Sequence, residues 1–427
     1  MDSSNKILRL ITDYYLNSGD FNGINLICLL EELDLSLQEI VSAAEHLIKN
    51  DLVGLITSKE EMNPNIIRTG FITKDKQIAN LYEIKDYYSY CFYPLNKHLE
   101  TVVNKVNYKD EYYKLKLALG APQLSYKVFD LSILEMYRND PRYYYTSNDI
   151  GGSICIQDKF YESDEVKEKD KILLESFGFA YDEEFNRAVA VFTCDLANLT
   201  KEHQNIWKAK ELNNNYNMHP AFYNSQVFGL WPEGVSVFDA LLEEIYLINR
   251  LCDIIEIPKL FKNDFGENGE QKPKILTFLI RPTLKEFNDF VLVLDKVLSD
   301  NINIEFFKAD LSLEREEVRK NGKIVVHNKG TIQLLDEWMR IKFNFKNDAT
   351  WKYTIHTLKK VRKLRQKPAH AIEEDSFNNE YFKKQREIAS EVYHSINYLR
   401  MVFQEHPKAF NKIDIPDWLE KGKIYSY

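Results

Sequence analysis

The sequence lacks the features that mark secreted, membrane-spanning and zinc-binding proteins. Its five cysteines are scattered and form no C-x-x-C pair, so neither a disulfide framework nor a zinc site is indicated. No apolar run approaches the roughly 20 residues that a membrane-spanning helix needs. The opening "MDSSNKILRLITDYY" has no basic segment followed by an apolar one, as a secretory signal would. These absences predict a cytoplasmic protein with reduced thiols and no membrane association.

The short motifs of common catalytic sites are also missing. The chain contains no H-E-x-x-H, no G-x-G-x-x-G, no Walker A loop and no G-x-S-x-G. His203 and His219 stand alone and are interpreted as structural. We therefore predict no metal ion and no cofactor.

Charge is distributed unevenly along the chain. The net charge is −9, which argues against non-specific binding to nucleic acid. Residues 1–60 hold four Lys or Arg and ten Asp or Glu, whereas residues 352–370 hold seven Lys or Arg and no acid. If the protein meets a polyanion, the second region is where contact is expected.

The pattern of apolar residues predicts an α+β protein that is mostly helical, with three domains. An N-terminal domain covers residues 1–75, an α+β middle domain covers 76–275, and a helical bundle with a C-terminal tail covers 276–427. The boundary before the bundle is placed in the polar segment "NDFGENGEQKPK", residues 263–274.

The first 75 residues resemble a winged helix-turn-helix. Three helices are predicted, the third over 36–50 after an N-cap at Asp34 or Ser36. "DLVGLITS" and "NIIRTGFIT" are predicted to pair as a hairpin. The third helix carries Glu39, Glu45 and one lysine, a surface that repels phosphates. We therefore expect a protein partner at this domain and no appreciable binding of duplex DNA.

Four amphipathic helices are predicted near the C-terminus. They are "RPTLKEFNDFVLVLDKVLSD", "GTIQLLDEWMRIKF", "ATWKYTIHTLKKVRKLRQ" and "NNEYFKKQREIASEVYHSINYLRMVF". Apolar residues recur along one stripe of each helix, and four such helices around one core form an α-helical bundle.

The third of these helices ends in the stretch "VRKLRQKPAHAI", residues 361–372. At about 100° per residue, Arg362 and Arg365 continue the apolar stripe that begins at Trp351. Pro368 breaks the helix and is expected to turn His370 back across its end. The basic residues Lys359, Lys360, Lys363 and Lys367 fall on the opposite, solvated side. Arg365 and His370 are therefore either a catalytic pair or a charged helix end with a histidine nearby.

A helical bundle with an R-x4-6-H motif at the end of its third helix resembles the HEPN superfamily, over roughly residues 281–405. Many members are metal-independent endoribonucleases of toxin–antitoxin and antiphage-defence systems, and their bundles dimerise so that two motifs share one cleft. The resemblance implies that Arg365 and His370 are catalytic. This chain has Gln366 where catalytic members usually carry a small polar residue. Blocks such as "FDLSILEMYRNDPRYYY" and "IPDWLEKGKIYSY" also resemble an uncharacterised family of prokaryotic proteins.

Two hypotheses of different class follow. In the first, the protein is a homodimeric endoribonuclease in which Arg365 and His370 are catalytic. RNA would then be held by Arg362, Lys359, Lys363, Lys367 and Gln366. In the second, the protein is a non-catalytic dimerising scaffold in which Arg362 and Arg365 form salt bridges at an interface. A similar pair, Arg400 and His406, lacks the helix break and is not assigned a role.

Overall fold

The computed structural model describes residues 3–184, 186–213, 215–267, 271–318, 321, 323–343, 345, 348–366 and 374–425. The protein is an α+β protein with about 49% helix and 16% strand. Its chain divides into two compact units. Unit 1 covers residues 1–145 and 150–231, and unit 2 covers 146–149 and 232–427.

The first part of unit 1 contains five helices and three short strands. In chain order they are α1 (Ser3–Asn17), β1 (Ile24–Asn25), α2 (Leu26–Glu32), α3 (Leu37–Lys49), β2 (Val53–Thr57), α4 (Lys74–Leu81), β3 (Tyr90–Pro94) and α5 (Asn96–Val102). Ser36 caps α3 through a capping box with Glu39, as one of the two proposed N-caps. The three strands form an antiparallel sheet in the order β1-β3-β2.

The predicted hairpin of this region is wrong in one strand. β2 forms where "DLVGLITS" was expected, but it pairs with β3 and not with residues 65–73, which adopt no strand. All five residues of β3 are buried, so this strand provides the apolar surface that the sheet needs. The central strand of this sheet, β3, therefore lies outside the predicted domain of residues 1–75.

The rest of unit 1 is built on a larger sheet in the order β4-β8-β7-β6-β5, with β9 paired to β7. The pairs β4–β8, β8–β7, β7–β6 and β7–β9 are antiparallel. Its elements are α6 (Tyr112–Ala118), β4 (Tyr126–Phe129), α7 (Ile133–Arg138), β5 (Tyr143–Ser147), β6 (Gly151–Ile156), α8 (Asp158–Tyr161), β7 (Leu173–Tyr181), β8 (Arg187–Phe192), α9 (Thr193–Ala197), α10 (Lys201–Ala209), β9 (Asn217–Met218) and α11 (Pro220–Phe228). The segments "GGSICI" and "RAVAVF" form β6 and β8. β8 is buried along nearly its whole length, as its continuous apolar run indicated.

Unit 2 is mainly helical. Its elements are β10 (Val235–Ser236), α12 (Val237–Ile255), α13 (Leu284–Val297), β11 (Glu314–Val318), β12 (Ile324–Asn328), α14 (Thr331–Lys342), α15 (Ala349–Gln366), α16 (Glu380–Gln404), α17 (Asp417–Glu420) and β13 (Ile424–Tyr425). The helices α13 to α16 are the four that the sequence predicted. β11 and β12 form an exposed antiparallel ribbon, and β10 pairs in parallel with β13.

The division into units does not follow the predicted boundary at residue 275. One hydrophobic core extends through α12, α13, α14, α15 and α16, and α12 packs along α16. The segment between α12 and α13 contributes buried side chains to the same core: Leu260, Phe261, Phe265, Leu276 and Phe278. A polar linker therefore does not separate α12 from the bundle, because apolar residues on both sides of that linker are buried together.

Candidate functional site

The candidate site is the last turn of α15 and the acidic residues that it contacts. α15 buries Trp351, Ile355 and Leu358, which agrees with the predicted apolar stripe. Arg362 and Arg365 extend that stripe, with 29% and 30% of their side chains exposed. They therefore lie at the margin of the core, where a charged group needs a partner.

Both arginines bind the same two aspartates. Arg362 donates from Nε to Asp295 at 3.1 Å and from Nη2 to Asp300 at 2.8 Å. Arg365 donates from Nη1 to Asp295 at 2.7 Å and to Asp300 at 2.5 Å. We call these four residues the Arg–Asp cluster. It joins the end of α15 to the end of α13 and the turn that follows it.

The two aspartates differ in burial. Asp295 has no exposed side-chain surface, whereas the side chain of Asp300 is 38% exposed. A carboxylate as buried as Asp295 is costly unless charged donors surround it, and here two guanidinium groups do so. The cluster holds two positive and two negative charges, so its formal charges cancel.

The cluster also changes the acid–base behaviour of its members. Burial acts to raise the pKa of Asp300, but the charges and hydrogen bonds of Arg362 and Arg365 outweigh it and lower that pKa. The hydrogen bond to Asp295 is the main cause of a raised pKa for Arg365. Both effects favour the charged forms.

Arg365 keeps part of its hydrogen-bonding capacity. Its bonds to the described residues all come from Nη1, which leaves the edge formed by Nε and Nη2 without a partner among those residues. That edge presents two parallel donors, the arrangement that matches two oxygens of a phosphate. Arg362, by contrast, uses Nε and Nη2 to bind the aspartates.

The remaining residues of the predicted site are placed only in part. Lys359, Lys363 and Gln366 are exposed on α15. Lys360 is not simply solvated, because it bonds to Glu391 of α16 at 2.7 Å. Lys367 and His370 lie outside the described residues, so their predicted roles stay predictions.

The second Arg–His pair has a different environment. Arg400 is buried and donates from Nε to Glu244 of α12 at 2.8 Å. His406 accepts from the backbone N–H of Lys408 at 3.2 Å. Arg400 therefore links two helices of the core.

The sequence reasoning missed Asp295 and Asp300. A signal for the first was present, because Asp295 falls between Val291 and Leu298 on the buried stripe of α13. An acidic residue on the apolar stripe of α13 and arginines on the apolar stripe of α15 have opposite charges. Their pairing explains why each is found at a largely apolar position. Asp300 follows the end of α13, and nothing in the sequence pairs it with residues more than 60 positions later.

Comparisons with protein-family models, with curated proteins and with solved structures found no match to this chain. Among the described residues, no group of three His, Cys, Asp or Glu side chains is placed to hold a metal ion. In the same part of the chain, no helix has both the length and the apolar composition needed to cross a membrane.

Proposed function

We propose that the protein is a metal-independent endoribonuclease with a HEPN-like helical bundle, in which Arg365 and His370 act on RNA. The observation that supports the proposal is the orientation and hydrogen bonding of Arg365. Its guanidinium is oriented by two carboxylates at Nη1, is partly exposed, and keeps its Nε–Nη2 edge for a ligand. A donor that is fixed before the reaction needs no reorganisation when charge develops.

The proposed reaction uses the RNA's own nucleophile. The 2′-oxygen attacks the adjacent phosphorus, a P–O2′ bond forms and the P–O5′ bond breaks. One group accepts the proton of the 2′-hydroxyl, and a proton is delivered to the leaving 5′-oxygen. His370 is assigned to this proton transfer because an imidazole titrates near neutral pH. Arg365 is assigned to the non-bridging phosphate oxygens.

The exposed residues of α15 are assigned to binding. Lys359 and Lys363, with Lys367 and Gln366, would contact the phosphate backbone, which predicts little sequence preference and strong dependence on salt. As in the superfamily it resembles, the bundle would dimerise and bring two motifs to one cleft.

A second candidate is a non-catalytic scaffold in which the salt bridges of Arg362 and Arg365 lie within one chain and not at an interface. The charge balance of the Arg–Asp cluster favours it. Two aspartates neutralise both arginines within one chain, which is sufficient to explain why arginines lie on an apolar stripe. In this case the winged-helix-like part of unit 1 would bind a protein partner, since α3 presents Glu39 and Glu45 at its surface.

The test is cleavage of a generic RNA by the full chain in the presence of EDTA. Wild type is expected to produce 2′,3′-cyclic phosphate and 5′-hydroxyl ends. His370→Ala is expected to slow cleavage by about 10²–10⁴-fold, because a positioned acid or base is typically worth that much. Arg365→Lys is also expected to be damaging, since an ammonium group cannot bind two oxygens in parallel.

His406→Ala is the matched control and should cleave like wild type, with circular dichroism confirming that each variant is folded. If wild type leaves RNA intact, or if His370→Ala cleaves at the wild-type rate, the nuclease proposal is wrong and the scaffold replaces it.

A further inference from the structure

Unit 1 contains a second group of charged residues that the proposed nuclease site does not use. Lys116 lies on α6, Lys127 on β4 and Lys208 on α10. The ammonium groups of Lys116 and Lys208 lie over the ring of Tyr112, and the electrostatic interactions of Lys127 are with Lys116, Glu211 and Tyr112. We call Lys116, Lys127, Lys208 and Tyr112 the lysine cluster. They come from three separate elements, so tertiary packing brings them together rather than local sequence.

Tyr112 organises two of the lysines. The ammonium nitrogen of Lys116 lies 4.6 Å from the centre of the ring and that of Lys208 lies 4.1 Å from it. Both distances are within the range of cation–π attraction. Burial acts to raise the pKa of Tyr112, but the two lysines lower it overall. The ring of Tyr112 thus attracts the ammonium groups of both Lys116 and Lys208.

Lys127 adds a third positive charge to the cluster, in a surrounding that disfavours the charged ammonium form. It is half-buried on the sheet. Burial is the main cause of its lowered pKa, and the nearby charge of Lys116 adds to it, while Glu211 and Tyr112 act in the opposite direction. Its ammonium form is therefore less stable here than in water.

Negative charge does not balance the cluster. Among the described residues, Glu211 is the one carboxylate within 4.0 Å of any of the three lysines, and it bonds to Lys208 at 2.8 Å. Glu211 also accepts from the hydroxyl of Tyr113 at 3.1 Å. Three lysines against one glutamate leave a formal excess of two positive charges at a partly buried place.

The neighbouring lysines of the same region behave differently. Lys114, on the same helix as Lys116, lies 3.9 Å from Glu111, and Lys201 lies 3.8 Å from the same carboxylate. These lysines have an acidic neighbour, as surface lysines commonly do. Unlike these two lysines, Lys116 and Lys127 have no carboxylate within 4.0 Å among the described residues.

We propose that Lys116, Lys127 and Lys208, supported by Tyr112, form a binding site for a phosphate group. A phosphate monoester carries close to two negative charges at neutral pH, and two adjacent phosphodiesters of a nucleic-acid backbone carry two between them, so either matches the excess of two positive charges. This inference does not depend on the proposed nuclease activity.

The test is isothermal titration calorimetry of the full chain at low salt with sodium pyrophosphate as the probe. Wild type is expected to bind, and Lys116→Gln and Lys127→Gln are each expected to weaken binding by roughly tenfold or more, since a hydrogen bond to a charged group contributes about 1.5–3 kcal/mol. Lys114→Gln is the matched control, because it removes the same charge from the same helix outside the cluster. It should bind like wild type.

Two further titrations identify the source of the phosphate. ATP and a single-stranded RNA oligonucleotide are each measured with wild type and with Lys127→Gln. A loss of affinity for ATP alone indicates a small phosphorylated ligand, and a loss for RNA indicates its backbone; both results support the site. The proposal is overturned if wild type does not bind pyrophosphate, or if the two cluster variants bind it as tightly as Lys114→Gln does.

Discussion

Asp295 is the residue on which the Arg–Asp cluster depends. It has no exposed side-chain surface and accepts hydrogen bonds from both arginines. We expect Asp295→Asn to lower the free energy of unfolding by about 2–4 kcal/mol. The loss is smaller than for a fully buried ion pair, because Arg362 and Arg365 are partly exposed and keep Asp300 as a partner. Urea unfolding of the full chain, followed by circular dichroism, measures this loss.

Asp289→Asn is the matched control for this prediction. Asp289 lies on the same helix, is exposed, and has no ion pair with a described residue. Its substitution should change the free energy of unfolding by less than about 0.5 kcal/mol. Equal effects of the two substitutions would show that the cluster does not stabilise the fold.

Asp300 gives the cluster a dependence on pH. Its pKa is lowered in the folded state, so the stabilisation is fully present above the unfolded pKa of about 3.9 and is lost as the pH falls through the lower, folded value. The free energies of unfolding of wild type and Asp300→Asn should therefore differ by a constant amount above about pH 5 and converge in more acidic solution. Guanidinium unfolding at several pH values tests this, and a difference that grows on acidification would contradict it.

At the scale of elements, α12 is the part of unit 2 that the predicted domains misplaced. It buries 14 residues, and Glu244 within it binds Arg400 and Asn397 of α16. Exposing a buried large apolar side chain to water costs roughly 1.5–3 kcal/mol. Removing α12 would expose many such side chains, so the total cost exceeds the free energy of unfolding of an ordinary domain.

A fragment of residues 276–427 should therefore not unfold cooperatively. A fragment of residues 232–427, which includes α12, should unfold cooperatively. Circular dichroism during thermal unfolding compares the two fragments. Cooperative unfolding of the shorter fragment at a similar temperature would restore the predicted boundary at residue 275.

The elements of unit 1 show the same dependence on distant partners. α3 was predicted closely, and its Lys49 bonds to Glu45, to which Tyr82 also donates. The partner of β2 was not predictable from neighbouring residues, because β3 follows it by more than 30 positions.

At the scale of the whole molecule, the position of the arginines bears on assembly. The scaffold hypothesis placed Arg362 and Arg365 in salt bridges between subunits, but both bind Asp295 and Asp300 of their own chain. Light scattering of the full chain should therefore give the same mass for wild type and for the Arg362→Met, Arg365→Met double variant. A lower mass for the double variant would show that these arginines contribute to an interface between subunits.

The sequence alone determined most of the local structure, because helix periodicity, capping residues and apolar runs are short-range signals. It placed α13, α14, α15 and α16, offered Ser36 as one of two N-caps for α3, and put Arg362 and Arg365 on the apolar stripe of α15. These features depend on residues a few positions apart.

Only the tertiary structure decided which of these elements share a core and which charges meet. It joined α12 to the bundle, paired β2 with β3, and gave Arg362 and Arg365 the partners Asp295 and Asp300. It also brought Lys116, Lys127 and Lys208 together from three elements. The physical reason is that contacts between distant segments depend on how whole apolar surfaces pack, which no local pattern of residues specifies.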